Sequence, residues 1–457
     1  MKRLIYTAFM LLTFVSCDQW FDVEPKGEGT SGNGLFNNEA SFRDYMNGIY
    51  ADLRSRDLYG GNLTLGGVEF LAQTFVPYTG AEAWTRMDFN SDMARTIARK
   101  AYGGLYAAIY RCNDLLRQFD RNPDVEFVSG SREMMMAETR ALRAFLHFEL
   151  LRLFSPAYAV DASASFVPWI GSVDGPAVTM TSAELLDRIL SELDAALVQL
   201  EACDPVVTGV GYDDMSLLGT SPADRCWKLN YYAVAVVKAR ALMFRGAQSD
   251  CREASTLLGS VIEKGGYEFV RTVSDSDYSF SLEFIFALPS DEKGFCALSE
   301  ELFGPSGKGV VLSSQISLDD LSPDDRRRGW IDGDNTMRTK FAPTSKIDLW
   351  ETAPAIPMVK LGEVYLLAAE AAAKSGDLVS GISRFNNFMT ERNSASMVLA
   401  QDASLDQLME AVDLQYRYEF MGEGVRFHFC KRLDKTITAF DGSQISEVGK
   451  KYLPIVQ

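Results

Sequence analysis

The sequence predicts a mainly α protein: a tetratricopeptide-like scaffold of about four helical hairpins, interrupted by irregular, loop-rich insertions that carry a few short strands. Three observations lead there. Leu361, Val364, Tyr365, Ala368 and Ala372 fall on one face of a 3.6-residue period, and alanine, the best helix former, dominates Ala368–Ala373. Gly376 and Asp377 follow at once, a left-handed C-terminal cap and an N-cap for a second helix whose Ile382, Phe385 and Met389 share a face. Two helices joined by so short a turn cannot bury their own apolar face and must stack on further pairs, which the rest of the chain supplies.

At the N-terminus, Lys2 and Arg3 precede the apolar run Leu4–Val15, then Ser16 and Cys17. A bilayer takes about 20 apolar residues to span, so residues 1–16 are expected to be a cleaved signal. Phe14-Val15-Ser16-Cys17 resembles a bacterial lipobox, in which the cysteine is lipidated and becomes the first mature residue; an ordinary secretory signal is the alternative. Cleavage would remove Lys2 and Arg3 and leave the chain more acidic. Residues 17–37 then form a lipidated N-terminus and tether, with Gly27–Gly34 (GEGTSGNG) as its flexible spacer. The remainder, 38–457, is expected to be one domain, with scaffold at 38–57, 94–265 and 357–424 and variable regions at 58–93 and 267–355.

Asn38 caps a helix over Glu39–Arg54, with Phe42, Tyr45, Met46 and Ile49 on one face. Ala94–Arg117 carries Tyr102, Leu105, Tyr106, Ile109 and Leu116. Glu133–Phe154 is apolar almost all round its C-terminal half, the mark of a buried central helix. Thr181-Ser182-Ala183-Glu184 opens a helix with Leu185, Ile189, Leu193 and Leu197. Lys228–Phe244 and Cys251–Lys264 pair across Gly246; residues 358–375 and 378–392 pair next, and Ser404–Gly422 closes the series. Two stretches break the rhythm. Leu58–Asn90 is rich in Gly, Thr and aromatics, and Tyr267–Thr352 holds strand-like runs at Phe284–Leu288 and Val310–Leu312. Insertions in a repeat scaffold map to loops on one face, often the binding face.

The 457 residues are 47% hydrophobic, enough for a large core, and the net charge of −17 excludes nucleic acid as a partner. Two histidines, His147 and His428, leave little room for a His-based triad or metal site. No C-x-x-C, G-x-S-x-G or H-E-x-x-H occurs, so neither a metal, a cofactor nor an enzymatic activity is expected. The cysteines other than Cys17 either pair or stay as buried thiols. Glu419 and Glu423 sit four apart, a spacing that suggests a catalytic pair; ion pairs with Arg417 and Arg426 are the reading taken, and Glu138, Arg140, Arg143, Glu363 and Glu370 are read the same way. Asp332-Gly333-Asp334-Asn335 is read as an acidic turn, since no Glu follows at the calcium-loop distance. Aromatic rings stack on the C–H faces of sugars, so Tyr78, Trp84 and Asn90 in the first irregular stretch, and Trp330 and Trp350 in the second, are the candidate ligand-binding residues.

Five segments carry a family resemblance. Residues 101–116 (AYGGLYAAIYRCNDLL) match a Y-x-x-I-x-x-x-N core through Tyr106, Ile109 and Asn113. Residues 137–154 match E-x-R-x-x-R-A through Glu138, Arg140, Arg143 and Ala144. Residues 253–269 carry A-x-x-x-L-x-x-V-I-x-x-G-x-Y, close to the family's A-x-x-L-x-x-V-I-x-x-G-x-Y, residues 361–371 match L-x-E-x-x-L-x-x-A-E-A, and residues 417–432 match R-x-E-x-x-x-E-G-x-R. In this order, behind a lipobox, they make the chain resemble the SusD/RagB family of outer-membrane lipoproteins over essentially its whole length. It departs at Phe429-Cys430, where the family commonly has Asp-Leu. The resemblance implies a cell-surface, lipid-anchored nutrient-binding protein at the outer membrane. It also implies a SusC-like TonB-dependent transporter as partner, on which the lipoprotein sits as a hinged lid, and an oligosaccharide or peptide as ligand. A lipoprotein hydrolase on a helical scaffold and a structural envelope adaptor are the alternatives.

Overall fold

Caps written into the sequence set where the helices begin. Asn38 accepts a hydrogen bond from the Ser41 amide at 3.0 Å and opens α1, Glu39–Leu53. Ser91 caps α2, Asp92–Arg121, which starts just ahead of the expected Ala94 and runs past Arg117. α3 is Ser131–Phe154. α4, Ser182–Cys203, opens with the expected capping box of Thr181 and Glu184. α5, Tyr231–Arg245, ends at Gly246 with φ 78°, and α6 is Gln248–Lys264. A helix that the sequence did not announce, α7, spans Phe295–Phe303. α8, Leu361–Lys374, and α9, Leu378–Glu391, are joined across Gly376 at φ 105°, and Asp377 caps α9. α10 is Leu405–Glu419 and α11 is Val425–Arg432.

The computed structural model describes residues 35–209, 223–271, 278–290, 294–341 and 355–455. The signal segment, Cys17, the Gly27–Gly34 spacer and Trp350 lie outside these residues. The chain divides into two compact units, Met1–Asn37 and Asn38–Gln457, and every element named here belongs to the second. Among the described residues helix makes up 57% and strand 5%, as the mainly α expectation requires.

The helices stack in chain order: α1 on α2, α2 on α3, α3 on α4, α4 on α5, α5 on α6, α6 on α8 and α8 on α9. α10 then packs against α8 and α9. This gives the four hairpins α1/α2, α3/α4, α5/α6 and α8/α9. α3 is the central one, buried on nearly every side from Ala141 to Phe154. Ala368 and Ala372 are buried as expected, yet the closest approach in the last hairpin is made by Gly381. A Cβ there would meet the Ala369 carbonyl oxygen at 2.8 Å and Ala373 Cβ at 3.0 Å.

The structure departs from the sequence reading in three places. Residues 358–360 are not helical but end strand β2, Ala355–Lys360, antiparallel to β1, Phe284–Pro289. Every residue of β2 is buried and the strand is paired along its length with β1, so the helix begins only at Leu361. The helix expected through Gly422 stops at Glu419, because Gly422 and Gly424 take left-handed φ values of 81° and 73° and turn the chain into α11. Val310–Leu312 makes only one bridge, Leu312 to Phe75. That bridge matters. It joins the two irregular stretches: the Val76 amide donates to Val311 O at 2.9 Å, the Ser313 amide to Thr74 O at 2.9 Å, and Ser313 Oγ to Gln73 O at 2.7 Å, across 240 positions of sequence.

Candidate functional site

The insertions are fastened to the scaffold by buried charge. Arg392, just past α9, holds both oxygens of Glu283 at 2.6 Å and donates from Nε to Glu419 at 2.9 Å. Arg327 pairs with Asp325 at 2.7 Å, with Gln415 Oε1 at 2.8 Å and with Glu419 at 3.4 Å. Glu423 accepts from Lys340 at 2.7 Å and from Lys360 at 2.9 Å. These four carboxylates and four cations are all buried, so their charges balance where water cannot screen them. The expected partners were wrong. Arg417 donates instead to Gln315 O at 3.1 Å and Arg426 to Ala72 O at 2.6 Å, because the turn after Glu419 takes Glu423 off the helical face.

The other family-motif charges brace the scaffold. Glu138 accepts from Arg225 at 2.7 Å and Tyr50 at 2.6 Å, and Arg225 also holds Asp204. Arg143 ties Asn113 at 2.8 Å and Gly171 O at 2.9 Å to Glu192, fixing the loop after α3 on the helices. Glu363 pairs with Arg240 and Glu370 with Arg432. Arg140 forms no such ion pair; it reaches Gln199 at 3.4 Å. Burial would raise the Glu370 and Glu419 carboxyls, but neighbouring cations prevail: Arg432 and Lys374 hold Glu370, and Arg392, Lys360 and Arg327 hold Glu419, each lowered from 4.5 to about 2. Both groups are depressed on folding, so their contribution is present above pH 4.5 and is lost as the pH falls toward 2. A urea midpoint measured between pH 6 and pH 3 should therefore fall, and should fall less in a Glu370→Gln variant.

Both histidines are interior groups. His147 donates from Nδ1 to Arg143 O at 2.9 Å, accepts the Ile170 amide on Nε2 at 3.1 Å, and stacks on Trp169 with centroids 4.0 Å apart. Burial lowers it to about 3, so it stays neutral. Cys112, Cys251 and Cys430 are buried thiols, which settles for these three the choice left open in sequence. Asp332 closes on its own turn, accepting the Asp334 and Thr336 amides, as expected of a structural acidic turn.

Of the residues proposed to bind ligand, Trp84 and Trp330 are fully buried, so neither offers an open face. Trp84 donates from Nε1 to Gly67 O at 3.0 Å, beside Phe89. Trp330 packs on Phe280 and donates to Tyr278 O, and the Lys340 ammonium lies 3.9 Å from its ring centroid. It roofs the charge network. Asn90 is exposed in the turn that leads into α2. Trp350 lies outside the described residues.

Tyr78 is different. It is half-buried, edge-on to Phe70 at 5.8 Å, and stands where the two insertions meet. Beyond α7 the arm Gly304–Gly309 (GPSGKG) folds back, the Lys308 amide donating to Glu301 O at 2.8 Å and Gly309 taking φ 69°. This brings Lys308 Nζ to 4.3 Å from the Tyr78 ring and to 3.0 Å from Glu301, which also accepts from Arg56 at 2.6 Å. Those hydrogen bonds from Arg56 and Lys308 lower the Glu301 carboxyl. The exposed Glu300–Arg338 pair at 2.8 Å adds donors and an acceptor from the same stretch. An aromatic ring among ionised donors and acceptors can stack on a sugar and reach its hydroxyls. Lys308, Glu301 and Arg56 were not singled out in sequence; the glycine-rich arm was their only signal.

Comparison with known proteins agrees with this architecture. Residues 328–451 match the SusD family. A SusD-like carbohydrate-binding protein of Bacteroides vulgatus superposes with a TM-score of 0.71 at 18% identity, covering 88% of this chain and 85% of its own. A SusD superfamily protein of Bacteroides fragilis gives 0.70 at 19% identity, covering 92% and 97%. Surface glycan-binding protein A of Bacteroides thetaiotaomicron gives 0.67 at 16%, covering 92% and 96%. No curated protein matches the sequence. The family model thus covers the C-terminal part of the chain, and along about nine-tenths of its length the chain shares the fold of SusD superfamily proteins.

Proposed function

We propose that this protein binds an oligosaccharide at the cell surface and delivers it, as a lid, to a SusC-like TonB-dependent transporter in the outer membrane. The observation that carries the binding is the Tyr78 surface, a half-buried aromatic ring beside Lys308, Glu301 and Arg56 at the junction of both insertions. Binding is favoured over hydrolysis because Glu419, the obvious catalytic carboxylate, is buried and held ionised by its cations, so it has no proton to give. Membrane attachment rests on the lipobox-like Cys17, since no described helix is long and apolar enough to cross a bilayer. Lipidation of Cys17 by more than one chain would hold the protein firmly, each buried methylene contributing about 0.8 kcal/mol.

The chain from residue 18 onward, screened against glycan and peptide libraries, is expected to retain glycans. Tyr78→Ala should weaken the glycan by about 1–3 kcal/mol while leaving the melting midpoint nearly unchanged. Retention of peptides alone would replace the oligosaccharide by a peptide, and unaltered glycan affinity in Tyr78→Ala would move the site elsewhere. Cys17→Ala should shift the protein out of the membrane fraction; unchanged membrane retention refutes the anchor. Gentle detergent extraction should recover the protein bound to one barrel partner, and recovery alone would refute the lid.

A further inference from the structure

Of two adjoining cavities, the larger, about 40 Å³, lies where α3, α5, α8, α10 and α11 converge, and the smaller, about 30 Å³, lies between α3, α5, β2, residues 59–64 and the turn into α11. Both are walled by Arg152 and Arg240; Lys431, Arg432 and His428 line the larger. Charge is not balanced there. Arg152 faces Glu149 at 2.6 Å, Arg240 faces Glu363 at 2.6 Å, and Arg432 faces Glu370 at 2.7 Å. Lys431 is buried, and among the described residues no carboxylate stands within ion-pair distance of it. Its Nζ donates once, to the Arg152 carbonyl at 2.7 Å, and so keeps two N–H groups for another acceptor. Arg152 Nε and His428 Nδ1, on the same walls, have no hydrogen-bond partner. The groups left over on the walls of the larger cavity are thus the Lys431 amine, a guanidinium N–H and an imidazole nitrogen; Glu149 Oε1, beside Arg152, and the Tyr59 hydroxyl, on the smaller cavity, also have no hydrogen-bond partner.

We infer that the larger cavity binds a small monovalent anion of chloride size, held by Lys431 Nζ and Arg152 Nε. A cation is excluded by the charge of the walls. A water molecule would accept the same hydrogen bonds but brings no charge; burial beside Arg152 lowers the Lys431 pKa, a lowering that a bound anion would oppose. A sugar is too large for a space of about 40 Å³. The site stands apart from the Tyr78 surface, and its occupation would stiffen the place where α11 meets the scaffold.

The test uses the whole folded chain dialysed into sodium gluconate, whose anion cannot enter. Chloride or bromide is then titrated in at constant ionic strength while the melting midpoint is followed. The expected result is a saturable rise of several degrees that is absent in Lys431→Met. Crystals grown in bromide should show an anomalous peak beside Lys431 Nζ, which keeps the inference testable if that variant does not fold. Equal midpoints in gluconate and chloride, a peak without a midpoint shift (an adventitious ion only), or a shift with no peak at Lys431 each overturns it.

Discussion

Replacing Glu419 by leucine is expected to destabilise the protein by about 3–5 kcal/mol, the cost of breaking a buried ion pair from one side. Arg392 would keep Glu283, Arg327 would keep Asp325 and Lys360 would keep Glu423, but four buried cations would then face three carboxylates in an interior that water does not reach. The loss should appear as a lower urea midpoint with an unchanged slope. Glu419→Gln, which keeps an oxygen acceptor and the shape, should lose less. If the leucine variant matches the parent, the network is a passenger and some other contact holds the insertions to the helices.

Replacing Trp84 by alanine should cost a similar amount, about 3–5 kcal/mol, as for other fully buried large aromatics. The indole fills the floor of the first insertion, and its N–H donates to Gly67 O, which also accepts the Phe70 amide, so truncation leaves a void and removes one of two hydrogen bonds to that carbonyl. A ligand-stacking residue would behave in the opposite way, losing affinity and keeping stability. Thermal denaturation alone distinguishes the two. A melting midpoint that hardly moves would return Trp84 to the list of binding residues.

The helices were legible in sequence because their signals are local. Asn38, Thr181, Gly376 and Asp377 act within a few residues of themselves, and each does in the fold what its neighbours predict. The partners of buried charges were not legible, because they are chosen by tertiary packing. Glu419 looks like a partner of Arg417 on a helical wheel, yet it meets Arg392 and Arg327 from other elements. The same limit hid the candidate site. Nothing in Tyr78 marks it as open and nothing in Trp84 marks it as closed, and Lys308 reaches Tyr78 only because a bridge distant in sequence aligns Phe75 with Leu312. Trp84 and Trp330, set in irregular stretches, are buried all the same, since large rings are readily recruited to a core.

The pairing of Phe75 with Leu312 also bears on how such a protein can acquire a new ligand. Each insertion is rooted in the scaffold, but the surface between them exists only as a joint product, with main-chain hydrogen bonds crossing from one to the other on both sides of the bridge. An exchange of one insertion for that of a relative would present an unmatched edge at residues 73–76 or at 311–313. Recombination between relatives should therefore succeed when the two segments travel together and fail when either travels alone, so that specificity is inherited as a pair of distant cassettes.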